Sequence, residues 1–258
     1  MTPRSTPRVL IIAGSDSGGG AGVQADIKTV TMLGGHAMSA ITAITAQNTL
    51  GVQAVMPVPA EIVVAQIDSC LSDIGADAVK IGMIGSAATA HAVADRLERL
   101  DVPIVFDPVM VTTSGSVLAD DDTIAAFARL MRIATLVTPN LPERAALCDH
   151  AGGDWVAADH SAAMLVKGGH ADDAEIVDTL FGPDGEIARW SNPRIDTSST
   201  HGTGCTLASA IATGLGRGMI LPEAIERAIR FVRRSLQEAP GLGRGHGPMG
   251  QQHVTDFR

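Results

Sequence analysis

The chain has no tyrosine, and aromatic residues make up only 3% of its 258 positions. Its formal net charge is −9, so it has little with which to stack bases or neutralise a nucleic-acid backbone, and no nucleic-acid partner is expected. A small anionic ligand is not excluded, because helix ends and one or two lysines suffice to hold it. Cysteine is scarce as well: Cys70, Cys148 and Cys205 are odd in number and far apart, which argues against a disulfide framework and for a reducing, cytoplasmic setting. No apolar run is long enough to span a bilayer, and the polar stretch Met1 to Arg8 has no signal-like segment, so no membrane partner is expected. Linkers rich in proline or serine are missing too. The expected organisation is a flexible leader over residues 1–8 and a single domain over residues 9–258.

What the chain does have is 45% apolar residues against 18% charged ones, enough for a sizeable core. Val9 to Ala13 reads as a strand buried on both faces. Gly14-Ser15-Asp16-Ser17-Gly18-Gly19-Gly20-Ala21-Gly22 follows it, and then Val23, Ile27, Val30 and Leu33 recur at helical spacing. The loop lacks the lysine-serine/threonine ending of a P-loop and gives no dinucleotide fingerprint. Further strands are expected at residues 37–45, 78–81, 104–106, 136–138 and 164–166. Helices are expected at residues 59–74, where Ile62, Gln66, Ile67, Cys70, Leu71 and Ile74 mark one side, and at 87–100, 141–148 and 222–239. Two apolar runs around Gly182-Pro183-Asp184-Gly185 signal a β-hairpin. This alternation predicts an α/β fold, a mainly parallel sheet with helices on both faces and a small antiparallel edge.

The stretch Thr200-His201-Gly202-Thr203-Gly204-Cys205-Thr206 runs straight into small helix-forming residues. A helix start of this kind offers unpaired amides and a positive dipole end to an anion. Cys205 stands in the first turn, where a thiol is most easily ionised. The same pattern also suits a capped core helix with a buried cysteine. Ligands in such sheets bind at the carboxyl ends of the strands. Those ends carry Gly14-Ser15-Asp16, Gln47-Asn48, Lys80-Ile81-Gly82-Met83, Asp107-Pro108-Val109-Met110, Pro139-Asn140-Leu141-Pro142-Glu143 and Lys167-Gly168-Gly169-His170. Asp107 and Glu143 are candidates to hold a hydrated magnesium ion, and Lys167 to neutralise phosphate beside the Gly202 to Cys205 amides. Together these are the ingredients of phosphoryl transfer without a P-loop.

Taken in order, these motifs resemble the hydroxymethylpyrimidine/phosphomethylpyrimidine kinases of thiamine biosynthesis, within the ribokinase-like superfamily. The resemblance runs from about Val9 to Pro248 and includes Gln24-Ala25-Asp26 and Ala46-Gln47-Asn48-Thr49. It implies a three-layer αβα sandwich and ATP-dependent phosphorylation of 4-amino-5-hydroxymethyl-2-methylpyrimidine and then of its monophosphate. It also implies that Gly14, Asp26, Gln47 and Val109 line the pyrimidine pocket, with Met83 compatible. Asn140, Glu143 and Lys167 would serve nucleotide and magnesium, and Gly202, Thr203 and Gly204 the anion hole. A homodimer is favoured, and a need for a monovalent cation is left open. Cys205 falls where many related sugar kinases carry an aspartate base, so it is expected to orient the hydroxymethyl group and take its proton late. Thr113 stands where the family pattern has a lysine, and the segment between Glu143 and Lys167 is short, with a reduced helix over residues 154–163. Asp16 is read first as a cap of the glycine loop, and His170 and His201 as loop structure. The competing readings are a pyridoxal or pyridoxine kinase, a non-catalytic pyrimidine sensor and a thiol-dependent hydrolase. The glycine-rich tail over residues 241–250 is either mobile or folded over the nucleotide.

Overall fold

The computed structural model describes residues 6–112, 115–151, 162–169 and 174–257. Thr113 and His170 lie outside them, as does the shortened helix up to residue 161; Ala163 already belongs to a strand.

One nine-stranded sheet runs through the molecule in the order β3-β2-β1-β4-β5-β6-β7-β8-β9. Its centre consists of β1 (Arg8–Asp16), β2 (His36–Asn48), β4 (Ala78–Ile81), β5 (Ile104–Phe106), β6 (Leu136–Val137) and β7 (Ala163–Val166), all paired in parallel. The expected hairpin is β8 (Glu175–Gly182) with β9 (Gly185–Pro193), antiparallel at one edge. The other edge is antiparallel too, because β2 turns at Thr49 and Leu50 into β3 (Gly51–Pro57). The sequence pattern had no strand there. In β3 the first two residues are half-buried and the rest exposed, so no alternation of burial marks it.

Continuous apolar runs place the central strands between two cores. Leu10 and Ile12 of β1 face α2 (Ala60–Asp73), α3 (Ala87–Leu97), α4 (Asp121–Ile133) and α5 (Leu141–Ala151). Val9 and Ile11 face α1 (Gly22–Met32), α6 (Thr203–Gly216) and α7 (Leu221–Gln237). The result is the expected three-layer arrangement with a mostly parallel sheet. Helix α2 packs Ile67, Cys70 and Leu71 of its expected side on the core, but it also buries Val63 and leaves Ile62 and Ile74 exposed. The apolar stripe of α2 is broad enough to fit two faces one residue apart, and packing against β2 selects the inner one. No helix among the described residues is long and apolar enough to cross a membrane.

The glycine-rich tail has a definite course. His246 donates its amide to Thr49 O at 2.9 Å, Gly247 donates to Ser198 O at 3.1 Å, and His201 donates to Gly247 O at 3.1 Å. It thus braces the turn after β2 and the loop before α6.

Beneath the carboxyl edge of the sheet, Lys80 of β4 and Asp26 of α1 form an ion pair at 2.8 Å with neither side chain exposed. Ser209 of α6 donates to the second Asp26 oxygen at 2.7 Å. Burial alone would lower the Lys80 pKa, but the surrounding acids Asp26, Cys205 and Asp107 outweigh it, and the lysine stays charged. The pair, with Ser209, ties strand β4 to α1 and α6. Removing one partner leaves a buried charge uncompensated, so Lys80→Met is expected to cost about 3–5 kcal/mol in urea unfolding. The double variant Lys80→Met with Asp26→Leu is expected to recover most of that loss. Equal losses in the single and double variants would show that the pair is not what matters there.

Candidate functional site

Helix α6 starts against the glycine loop. Its N-cap, Gly202, has φ +83°, in the left-handed region that glycine adopts freely. A Cβ at this position would lie 2.0 Å from the carbonyl oxygen of Gly20. On Gly22, with φ +56°, a Cβ would lie 2.4 Å from Gly14 O. The run of glycines is therefore needed for close backbone approach, beyond the needs of a simple turn between strand and helix. Asp16 stitches the loop: its Oδ1 accepts from the amide of Gly18 at 2.8 Å, and its Oδ2 from those of Gly20 and Ala21 at 2.9 and 2.8 Å. Capping is its role, as the sequence suggested.

At the start of α6 the amides of Gly204 and Cys205 have no carbonyl of their own helix to reach. The position a Gly204 Cβ would take lies 3.2 Å from Lys167 Nζ and 3.3 Å from Asp107 Oδ2. Lys167 donates to Asp107 Oδ1 at 2.8 Å, and its Nζ stands 3.9 Å from Glu143 Oε2. Thr138 also donates to Asp107 Oδ1, at 3.0 Å. Asn140 and Glu143 cap α5 reciprocally: the Asn140 amide donates to Glu143 Oε2 and the Glu143 amide to Asn140 Oδ1, both at 2.8 Å. Burial pushes the Glu143 pKa up, and nearby Asp107 adds to this against the pull of Lys167. Amides, an ammonium group and carboxylates thus meet at one helix terminus, an arrangement that can hold an anion. Among the described residues no three metal-ligating side chains gather into a cage.

The ring-reading candidates lie on the β1–β2 side. Met83 covers Gly14 so closely that a Cβ there would meet its sulfur at 2.7 Å. Gln47 is half-buried at the end of β2, with its Nε2 3.1 Å from Nε2 of His201. Val109 is half-buried in the turn after Asp107, where its amide donates to Asp107 O at 2.8 Å. Asp26 is different from these. It has no exposed surface, and its two oxygens are occupied by Lys80 and Ser209.

Cys205 also departs from expectation. Its thiol is pushed up to about 11, because burial, helped by Asp26 and Asp107, outweighs Lys80 and a bond from the Gly22 amide. The start of a helix does not ionise this thiol. The sequence reading missed Lys80 as part of the site's support. The signal was available, since a lysine inside the apolar run of β4 needs an acid, and Asp26 interrupts the apolar side of α1.

Residues 16–250 match the family model described as phosphomethylpyrimidine kinase. A hydroxymethylpyrimidine/phosphomethylpyrimidine kinase of Rhizobium meliloti is 46% identical over 96% of this chain and 98% of its own length. A multifunctional thiamine biosynthesis protein of Corynebacterium efficiens is 42% identical over 96% of this chain, which spans only 36% of that longer protein. Among solved structures, pyridoxal kinase from Staphylococcus aureus in complex with AMP-PCP and pyridoxal superposes with a TM-score of 0.85 at 30% identity, covering 98% of this chain and 96% of that one. A phosphomethylpyrimidine kinase from Clostridium difficile gives 0.71 at 34% identity, covering 89% and 99%.

Proposed function

Since the chain belongs to the phosphomethylpyrimidine kinase family, we propose that it uses ATP to phosphorylate 4-amino-5-hydroxymethyl-2-methylpyrimidine and then the monophosphate, in thiamine biosynthesis. The observation that supports this most is the convergence at Gly204 of helix-start amides, Lys167 and Asp107, where a transferred phosphoryl group would lie. A pyridoxal kinase is the second reading, favoured by the superposition on the Staphylococcus aureus enzyme. The higher sequence identity over nearly the full length of a pyrimidine kinase favours the first, because a shared fold does not fix the substrate.

In this reading Lys167 and the amides of Gly204 and Cys205 hold the phosphoryl oxygens as charge develops, while Gly202 and Thr203, whose amide donates to Thr200 O, form the turn that presents them. Gly14, Gln47, Met83 and Val109 hold the ring, while Asn140 and Glu143 serve the nucleotide. Asp107 and Glu143 fit a magnesium ion that keeps part of its water shell: they offer carboxylate oxygens beside an anion site without a full protein cage. When bound, that ion would neutralise charge on the phosphate oxygens. The protein would work as a cytoplasmic homodimer of single kinase domains; sedimentation of the purified protein at monomer mass would exclude the dimer.

Two further outcomes are expected. With magnesium-ATP and the pyrimidine alcohol, phosphorus NMR should show monophosphate and then diphosphate; turnover of pyridoxal alone would move the assignment to the second reading. Cys205 orients the hydroxymethyl group and takes its proton only as thiolate. Because its thiol is pushed up to about 11, the active form grows as pH rises toward that value. The kcat should climb roughly tenfold per pH unit between about 7 and 9 while chemistry limits the rate. Cys205→Ala should lose both rate and climb with little change in KM. A flat profile in the unsubstituted protein would refute the base role.

A further inference from the structure

His201 takes no part in the phosphoryl-transfer steps above, yet its ring is fixed in the wall between the glycine loop and the ring-reading residues. Its side chain is 9% exposed, its backbone amide donates to Gly247 O, and a Cβ on Gly20 would lie 2.6 Å from its Cδ2. One ring atom, Nε2, lies 3.0 Å from Asp16 Oδ2 and 3.1 Å from Gln47 Nε2. A single nitrogen cannot donate to the first and accept from the second at once.

The surrounding bonds decide between them. Asp16 collects donors on both oxygens: the amides of Gly18, Gly20 and Ala21 as well as this imidazole. Burial alone would raise the Asp16 pKa, but His201 and these amides hold it below the usual carboxylate range, so the group is an acceptor only. The proton therefore sits on Nε2 of His201, and Gln47 faces a donor. At the other end of the carboxamide, Gln47 Oε1 lies 3.2 Å from Thr45 Oγ1, whose single proton is already directed to Ser15 O at 2.8 Å. Both ends of Gln47 would then face a group of their own kind. Reversing the carboxamide resolves both conflicts, with Oε1 accepting from His201 and Nε2 donating to Thr45 Oγ1.

We infer that His201 is a specificity-setting positioning residue, which by donating from Nε2 to both Asp16 and Gln47 fixes which end of the Gln47 carboxamide is donor and which acceptor toward the substrate ring. This deepens the pyrimidine reading and rests on it. In the fixed orientation Gln47 keeps one N–H and one oxygen lone pair, side by side. That pair complements a ring nitrogen next to an exocyclic amine, the edge an aminopyrimidine presents. The reversed carboxamide would set donor against donor and acceptor against acceptor.

Two measurements test this. In protein labelled with 15N-histidine, long-range proton–nitrogen spectra should assign His201 as protonated at Nε2; a neutral ring protonated only at Nδ1 overturns the inference. The second measurement compares kcat/KM for the aminopyrimidine alcohol with its analogue lacking the amino group. His201→Leu should lower this preference about tenfold or more, chiefly through KM, because a mispaired polar edge replaces a matched one. His201→Gln keeps an N–H donor at the place of Nε2 and should stay within about threefold of the unsubstituted preference. An unchanged preference in His201→Leu overturns the inference, and so does an equal loss in both variants, which would mean the ring only fills space against Gly20. If the unsubstituted protein does not phosphorylate the aminopyrimidine alcohol at all, the functional reading fails instead, and the tautomer spectrum still judges His201.

Discussion

The site depends on a close approach of backbones. Where Gly202 faces the carbonyl of Gly20, and Gly22 that of Gly14, there is no room for any side chain. Two strand-to-helix junctions far apart in sequence, after β1 and before α6, therefore touch directly. The Gly22 amide can then reach the Cys205 sulfur, and the His201 ring can lie against Gly20. The half proposed to hold an anion and the half proposed to read the ring share this wall. A shift in the glycine loop would move Asp16, His201 and, through them, Gln47 together.

Much of the fold was legible because the central strands are buried on both sides. The runs in β1, β4 and β5 have no exposed face, so hydrophobicity alone marks them, and a chain of parallel crossovers follows. Strand β3 was not legible, since it is held by pairing with β2 and buries almost none of its residues. The expected side of α2 holds at Ile67, Cys70 and Leu71 and fails at Ile62 and Ile74, because Ile62 and Val63 are equally apolar and only the position of β2 distinguishes them.

Of the site, the residue types and their order were visible, but their mutual occupation was not. Asp26 reads from its motif as a pocket residue, yet its oxygens are spent on Lys80 and Ser209. Asn140 and Glu143 fit the N-x-x-E signature of a capping box as well as a ligand set, and the two roles are compatible. The cap presents the Glu143 carboxylate to Lys167 from a rigid helix start, where a loop residue would have to be ordered on binding. Cys205 shows the limit of local rules: proximity to a helix start favours a thiolate, but burial of the sulfur, helped by Asp26 and Asp107, works against it and prevails.

Those carboxylates also bear on how the proposed nucleotide would be accommodated. Lys80 and Lys167 stand among Asp26, Asp107 and Glu143, so with all ionised the carboxylates outnumber the ammonium groups before any phosphate arrives. Burial, with Asp107 beside it, raises the proton affinity of Glu143, so its negative charge is under-compensated. An incoming polyphosphate adds to the excess, and two helix-start amides and a lysine already paired with Asp107 cannot offset it alone. A divalent cation held by Asp107 and Glu143 would correct the balance at the place where the excess lies. In the proposed reading, the excess of carboxylates would favour a metal-bound nucleotide over a bare one, even without a preformed cage among the described residues.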